Sequence, residues 1–352
     1  MVSASGSLAL SVLDLVPVRT GQSSQQAVAA SMRLAQLADR LGYRRYWFAE
    51  HHNMAAVAST TPPVLIATAL AKTENIKVGS GGVMLPNHSP LIVAEQFAAL
   101  EAIAPGRVDL GLGRAPGSDP VITQLLNRSG ATSEAQQFPQ NVQDIVQIMG
   151  PEGATVRFTS GGTYDVRATP AAEGSPEIWL LGSSDFSSQL AAQLGLPYVF
   201  ANHFAGAGIE RAMSLYVQGY QPSERHPKPV SFVTANVVVA PTAEEAEQRA
   251  LPQLRQFARM RTNKPMRAME TVDEVLANPS DALEQSFVDQ NRATWFIGTP
   301  DDVASRLTAF AAAYDVVDEI MVVPMGGSYE REPLDETPGR TQTLELLSAA
   351  IA

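Results

Sequence analysis

Strand-like and helix-like runs alternate along most of this 352-residue chain, and that alternation limits it to few folds. Residues 8–16 are apolar and β-prone. Residues 24–41 read as a helix, because Val28, Met32, Leu34, Ala35, Leu37 and Leu41 recur at near-helical intervals. Gly42 is placed to close that helix, and residues 43–49 form the second strand. Ser59-Thr60-Thr61 before Pro62-Pro63 marks the next helix start, reaching Lys72. A strand at 76–84, a helix at 90–103 and a strand at 108–112 follow. Units of about 30 residues are what right-handed parallel βαβ connections need.

The middle of the chain is less regular. A helix at 141–149 precedes runs at 156–158 and 163–166 that flank Gly161-Gly162, an inserted hairpin. Alternation then resumes, with strands at 178–181, 198–201, 230–239 and 318–323 and helices at 187–194, 209–220, 243–260 and 341–351. Eight strands interleaved with helices specify an α/β fold, a (β/α)8 TIM barrel with insertions at its C-terminal face, as a single domain over residues 1–352. Residues 261–291 fit the repeat worst. They are polar and broken by Pro265 and Pro279, an excursion over the barrel mouth with a short helix from Ala282. Residues 1–7 read as a short disordered lead.

Composition removes several functions. The net charge of -11 argues against a general nucleic-acid or anionic-membrane surface. With no cysteine there are no disulfides, thiolate metal sites or thiol catalysis. No apolar run reaches the length of a membrane span, and no signal peptide is evident. A cytoplasmic protein is expected.

The second strand ends in Trp47-Phe48-Ala49-Glu50-His51-His52. In a parallel barrel these residues emerge at the C-terminal edge, where the chemistry of α/β proteins sits. Adjacent strand residues point to opposite faces, so at most one of His51 and His52 points into a site unless the chain turns. A histidine pair also fits a metal site, given partners at other strand ends; His203, which follows a strand, is one such position. The plainer alternative is that both imidazoles only hydrogen-bond loop carbonyls.

Three further stretches carry similar double readings. Ser80-Gly81-Gly82 inside a strand signals either close approach by something flat or tight packing against a neighbour. Arg114, just past a strand, suits a phosphate or carboxylate, or else a salt bridge to a neighbouring side chain. Gly182-Ser183-Ser184 leads into a helix that includes Ser187, and it either presents N–H groups and hydroxyls to an anion or simply caps the helix. Together they form a kit for a flat, phosphorylated cofactor.

Through these motifs the chain resembles the bacterial luciferase-like family of flavin-dependent oxidoreductases. The match covers most of its length and looks closest to the single-chain alkanal-monooxygenase-like branch. Its marks are Trp47-Phe48-Ala49-Glu50-His51-His52, Val78-Gly79-Ser80-Gly81-Gly82-Val83-Met84-Leu85-Pro86, Pro105-Gly106-Arg107-Val108-Asp109-Leu110-Gly111-Leu112-Gly113-Arg114 and Leu181-Gly182-Ser183-Ser184.

The resemblance implies non-covalent FMN at the C-terminal face. Reduced FMN, supplied as a cosubstrate by a separate flavin reductase, would react with dioxygen, and a small organic substrate would be oxygenated. By motif, His51 is the catalytic histidine, with Glu50 or a backbone carbonyl expected to fix its tautomer. Arg114, Leu181, Ser183, Ser184 and Ser187 fall on phosphate-binding positions. Gly81 and Gly82 fall on a pair joined by a non-prolyl cis peptide under the flavin ring. No metal is expected. Lacking cysteine, the chain departs from the luciferase pattern, so light emission is not implied. A deazaflavin-dependent hydride-transfer enzyme and a non-catalytic flavin-binding barrel are the alternatives. The helices from Pro63 and Pro90 are apolar on more than one face and, as in similar proteins, are expected to form a homodimer interface.

Overall fold

The computed structural model of the protein describes residues 8–117, 120–128, 135–205, 208–262, 264 and 266–351. The lead at 1–7 and Pro265 lie outside them. The first half runs β1 (Ala9–Asp14), α1 (Ser24–Arg40), β2 (Arg45–Phe48), α2 (Pro62–Leu70), β3 (Lys77–Met84), α3 (Pro90–Ile103), β4 (Val108–Gly113), α4 (Pro120–Asn127) and α5 (Phe138–Ile148). The hairpin β5 (Ala154–Arg157) and β6 (Thr163–Val166) comes next, antiparallel as expected. Then follow β7 (Glu177–Gly182), α6 (Asp185–Leu194), β8 (Tyr198–Phe200), α7 (Asn202–Ala205), α8 (Ile209–Gly219), β9 (Ser231–Val239) and α9 (Ala243–Arg261). The chain closes with α10 (Val272–Ala277), α11 (Ala282–Arg292), β10 (Phe296–Gly298), α12 (Pro300–Ala312), β11 (Val317–Pro324) and α13 (Pro338–Ile351).

Eight parallel strands close the barrel in the order β1-β2-β3-β4-β7-β8-β9-β11, with β11 pairing back to β1. The eight strands read from the sequence are these eight. Five elements went unread: β10, α12, α10 and the short helices α4 and α7. β10 is only three residues long and pairs with β9 beyond the point where β8 leaves it. Helix α12 and the short α10 complete the segment before β11. The helix from Ala282 is α11, so residues 261–291 hold two helices and are less irregular than their prolines suggest.

Local rules set the element ends. Ser23 and Gln26 form a reciprocal capping box at the start of α1, and Gly42, at φ 79°, follows its end in the left-handed region. Helices α2, α3 and α12 carry proline in their first turn, where no N–H bond is lost.

Along β2 the side chains alternate. Tyr46 and Phe48 pack in the layer between strands and helices, whereas Trp47 and Ala49 belong to the cluster inside the barrel. Inside, Trp47, Trp179 and Phe232 pack ring against ring, at centroid distances of 4.8–5.8 Å. Near the amino-terminal ends of the strands, the buried Arg45 pairs with Asp109 at 3.0 Å and Glu319 at 2.8 Å. Its guanidinium lies 4.6 Å from the Trp179 ring centroid, and Trp47 Nε1 donates to Asp109 at 2.9 Å. Buried charges need such pairing to avoid a desolvation penalty. Rings and ion pairs thus fill the barrel beneath its mouth.

Candidate active site

The C-terminal mouth holds a cavity of about 900 Å³, the size of a small-molecule site. His51, Gly81, Gly82 and Arg114 line it, as do Leu181, Ser183, Ser184 and Ser187. Four strands, β2, β3, β4 and β7, and the segments that follow them therefore bring together every site residue singled out from the sequence.

Strand alternation carries past β2. Ala49 and His51 line the cavity, while Glu50 and His52 turn the other way and meet each other. His52 Nε2 lies 2.7 Å and His88 Nε2 2.8 Å from the same Glu50 oxygen, and the other oxygen accepts the Met84 N–H at 3.0 Å. The expectation that Glu50 fixes the His51 tautomer is thereby corrected: its oxygens serve the next histidine and the turn after β3. Neither does a carbonyl reach His51 Nδ1, which is buried and makes no hydrogen bond among the described residues. Burial alone would raise the Glu50 pKa. The bonds from His52, His88 and the Met84 N–H outweigh burial and hold it at about 2. Burial lowers the His51 pKa, against the opposing pull of Glu50.

The floor is the Gly81–Gly82 peptide, which is cis. A Cβ at Gly81 would lie 2.5 Å from Leu13 Cδ1, and one at Gly82 would lie 2.8 Å from the Gly111 carbonyl oxygen. The backbone of β4 thus dictates glycine at 82, and at Gly81 any side chain would have to displace Leu13 of β1. The same bareness leaves backbone, rather than side chain, at the cavity floor.

At the far wall, Arg114 is exposed and its Cζ lies 4.1 Å from the Phe186 ring centroid, a cation–π stack. Among the described residues it pairs with no carboxylate, so the salt-bridge alternative is not realised. Ser184 occupies the N-cap of α6 with extended backbone, yet its side chain makes no capping bond. The exposed hydroxyls of Ser183 and Ser184 therefore stand beside the first N–H groups of α6. A Cβ on Gly182 would lie 2.2 Å from Ser187 Oγ, so glycine is what lets that hydroxyl close on the strand end. Asp185, one residue into the helix, is neutralised by Arg211 at 2.8 Å.

Phe186 and Phe204 escaped sequence reasoning, and His203 entered it only as a possible metal ligand. His203, on α7, lines the cavity with Phe204, whose ring centroid lies 4.2 Å from its own. Burial, then the proximity of His51, lowers its pKa to about 3, so it is neutral at physiological pH. Its place just after a strand was the available signal. Among the described residues no three His, Asp or Glu side chains are grouped to hold a metal ion, and no helix is long and apolar enough to cross a membrane.

The family model for luciferase-like monooxygenases matches residues 9–315. A luciferase-like monooxygenase of Escherichia coli is 40% identical over 321 residues, covering 90% of this chain and 91% of that one. The crystal structure of apo-MsnO8 superposes with a TM-score of 0.84 at 32% identity, covering 98% of both chains. The chain belongs to the luciferase-like monooxygenases and is an enzyme of that flavin-dependent oxidoreductase class. More distant barrels share the fold alone. One is the oxygenating constituent of 3,6-diketocamphane monooxygenase from Pseudomonas putida in complex with FMN, with a TM-score of 0.67, 19% identity and 98% of both chains covered. Another is an F420-dependent secondary alcohol dehydrogenase, with a TM-score of 0.65, 13% identity and 99% and 100% of the two chains covered.

Proposed function

We propose that the protein is an FMN-dependent monooxygenase that takes reduced flavin and dioxygen and oxygenates a small organic substrate. One observation carries the reading: a single cavity has a guanidinium with no carboxylate partner among the described residues and an open helix start at one wall, bare peptide at the floor and imidazoles opposite. The residues present fit FMN. Arg114 and the α6 start, with Ser183, Ser184 and Ser187, would hold the phosphate; Gly81, Gly82 and Leu181 would support the ring. Bound there, reduced flavin supplies electrons that activate dioxygen.

The chain's own residues then orient, shield and move protons. His51, its pKa lowered by burial and its Nδ1 without a partner among the described residues, would accept or return a proton at the floor. His52 and His88 lock Glu50, which ties the end of β2 to the turn after β3 and so fixes where His51 stands. Phe186 pins the Arg114 fork by stacking.

The phosphate wall of Arg114 and α6 fits FMN, and barrels of this fold include one in complex with FMN and one that is F420-dependent, so the cofactor is decided by binding. The FMN-bound neighbour is titled an oxygenating constituent, which supports a separate flavin reductase as partner here. Titrating the purified protein with FMN and with F420 while recording visible spectra tests the cofactor. Oxygen uptake with chemically reduced FMN, with and without candidate substrates, tests turnover. Tight F420 binding with no FMN binding would sink the proposal.

A further inference from the structure

A second cavity, of about 90 Å³, opens beside the first and shares Leu15, His51 and Phe204 with it. Its far side comes from a different part of the chain, α9 and the segment after it. Met54, Met260, Met266 and Met269 contribute four thioethers, with Phe257 beside them. Methionine is flexible and polarisable, and it moulds to apolar ligands. Among the described residues lining this chamber, His51 is the only ionisable one.

Two amides interrupt the apolar lining, Gln253 and Gln256. Gln256 is 8% exposed and donates through Nε2 to the Arg267 carbonyl at 3.2 Å, which leaves its Oε1 without a partner among the described residues. The side-chain amide of Gln253 makes no hydrogen bond among them at all. A buried amide with spare capacity in an otherwise apolar wall provides one neutral polar contact and no counter-ion.

We propose that this chamber seats the substrate, and that it takes an uncharged molecule with a short aliphatic tail and one neutral polar group, its reacting end at His51. The inference rests on the flavin reading for which end reacts, since the larger cavity must hold the cofactor. A carboxylate or ammonium would be stripped of water here and meet no opposite charge. By proportion with a ~150 Å³ cavity that accepts benzene, the volume admits a chain of about four carbons.

The test uses the full chain without flavin, its methionines labelled at the ε-methyl carbon, and three probes of similar size: 2-pentanone, butyrate and butylammonium. 2-Pentanone is expected to shift the methyl resonances of Met54, Met260, Met266 and Met269 and to bind at least about tenfold more tightly than either ion. 2-Decanone is expected to bind more weakly than 2-pentanone. Gln253→Arg supplies the missing counter-ion and is expected to reverse the order in favour of butyrate. Val57→Trp fills the chamber and is expected to abolish the shifts; should it fail to fold, Gln253→Arg still decides. Butyrate binding as tightly as 2-pentanone in the unaltered protein, or an unchanged order in Gln253→Arg, would overturn the proposal. FMN titrated into the same sample separates the two readings. Flavin binding with no methionine response sinks the chamber alone, and a methionine response with no flavin binding sinks the flavin site alone.

Discussion

Thr234 Oγ1 lies 2.7 Å from His203 Nδ1, and it also accepts the His203 backbone N–H at 3.1 Å while giving its own hydrogen to the Phe200 carbonyl at 3.4 Å. All three contacts are satisfied together only if Nδ1 carries the imidazole proton. His203 is thus held as the neutral Nδ1–H tautomer, with Nε2 left as an acceptor.

That fixed neutrality has a pH signature. The His203 pKa falls from 6.5 to about 3 on folding, so between those values the unfolded chain binds a proton that the folded one refuses. Stability is complete above pH 6.5 and is lost as pH drops, at up to about 1.4 kcal/mol per pH unit for this group. His51, also lowered, acts in the same direction. Glu50 adds a later loss, as pH falls from 4.5 toward 2. Urea unfolding of His203→Leu between pH 5 and pH 7 is expected to show a shallower slope than the parent; an equal slope would refute the assignment.

His51 and His52 are expected to separate cleanly on mutation. His51→Ala keeps FMN binding but lowers coupled product by roughly 10²–10⁴-fold, with peroxide released instead. His52→Ala removes a bond to a buried carboxylate and is expected to cost about 1–3 kcal/mol of stability, with coupling mostly retained. Product yield against peroxide yield, with a melting curve for each variant, checks both. Full coupling in His51→Ala would remove it from the chemistry.

For the phosphate wall, Arg114→Ala is expected to weaken FMN binding by about 1.5–3 kcal/mol, the range for a hydrogen bond to a charged group. Ser184→Ala is expected to cost less, because the α6 N–H donors remain. Flavin fluorescence titration reads both, and unchanged affinity in Arg114→Ala excludes it from the site.

Assembly is the fourth prediction. Val64 on α2 is 62% exposed, and Ile92 and Ile103 on α3 are 49% and 62% exposed. We expect a symmetric homodimer built on these helices. Sedimentation at micromolar concentration is expected to give a dimer mass, and Ile92→Asp a monomer. A monomeric parent protein would end the idea.

Much of this was legible from residue order, because βαβ units repeat the same periodicities. Where elements were short, the signal failed: Phe296–Gly298 is too brief to show alternation, and the six-residue α10 lies between Pro265 and Pro279. The divergence of His51 and His52 was readable, but not which of them faced the mouth. Arg45–Phe48 is buried on both sides, so polarity does not reveal its parity. The Glu50–His88 contact spans 38 residues, and no local rule encodes it. His203 acquires its character from Thr234, on a different strand.

The rings and ion pairs that fill the barrel around Arg45, Trp47 and Trp179 carry a consequence for traffic. With that plug beneath the floor, molecules reach Gly81–Gly82 from above. On the proposed function, cofactor and substrate would enter from that mouth side, and whichever lies deeper would leave after the other.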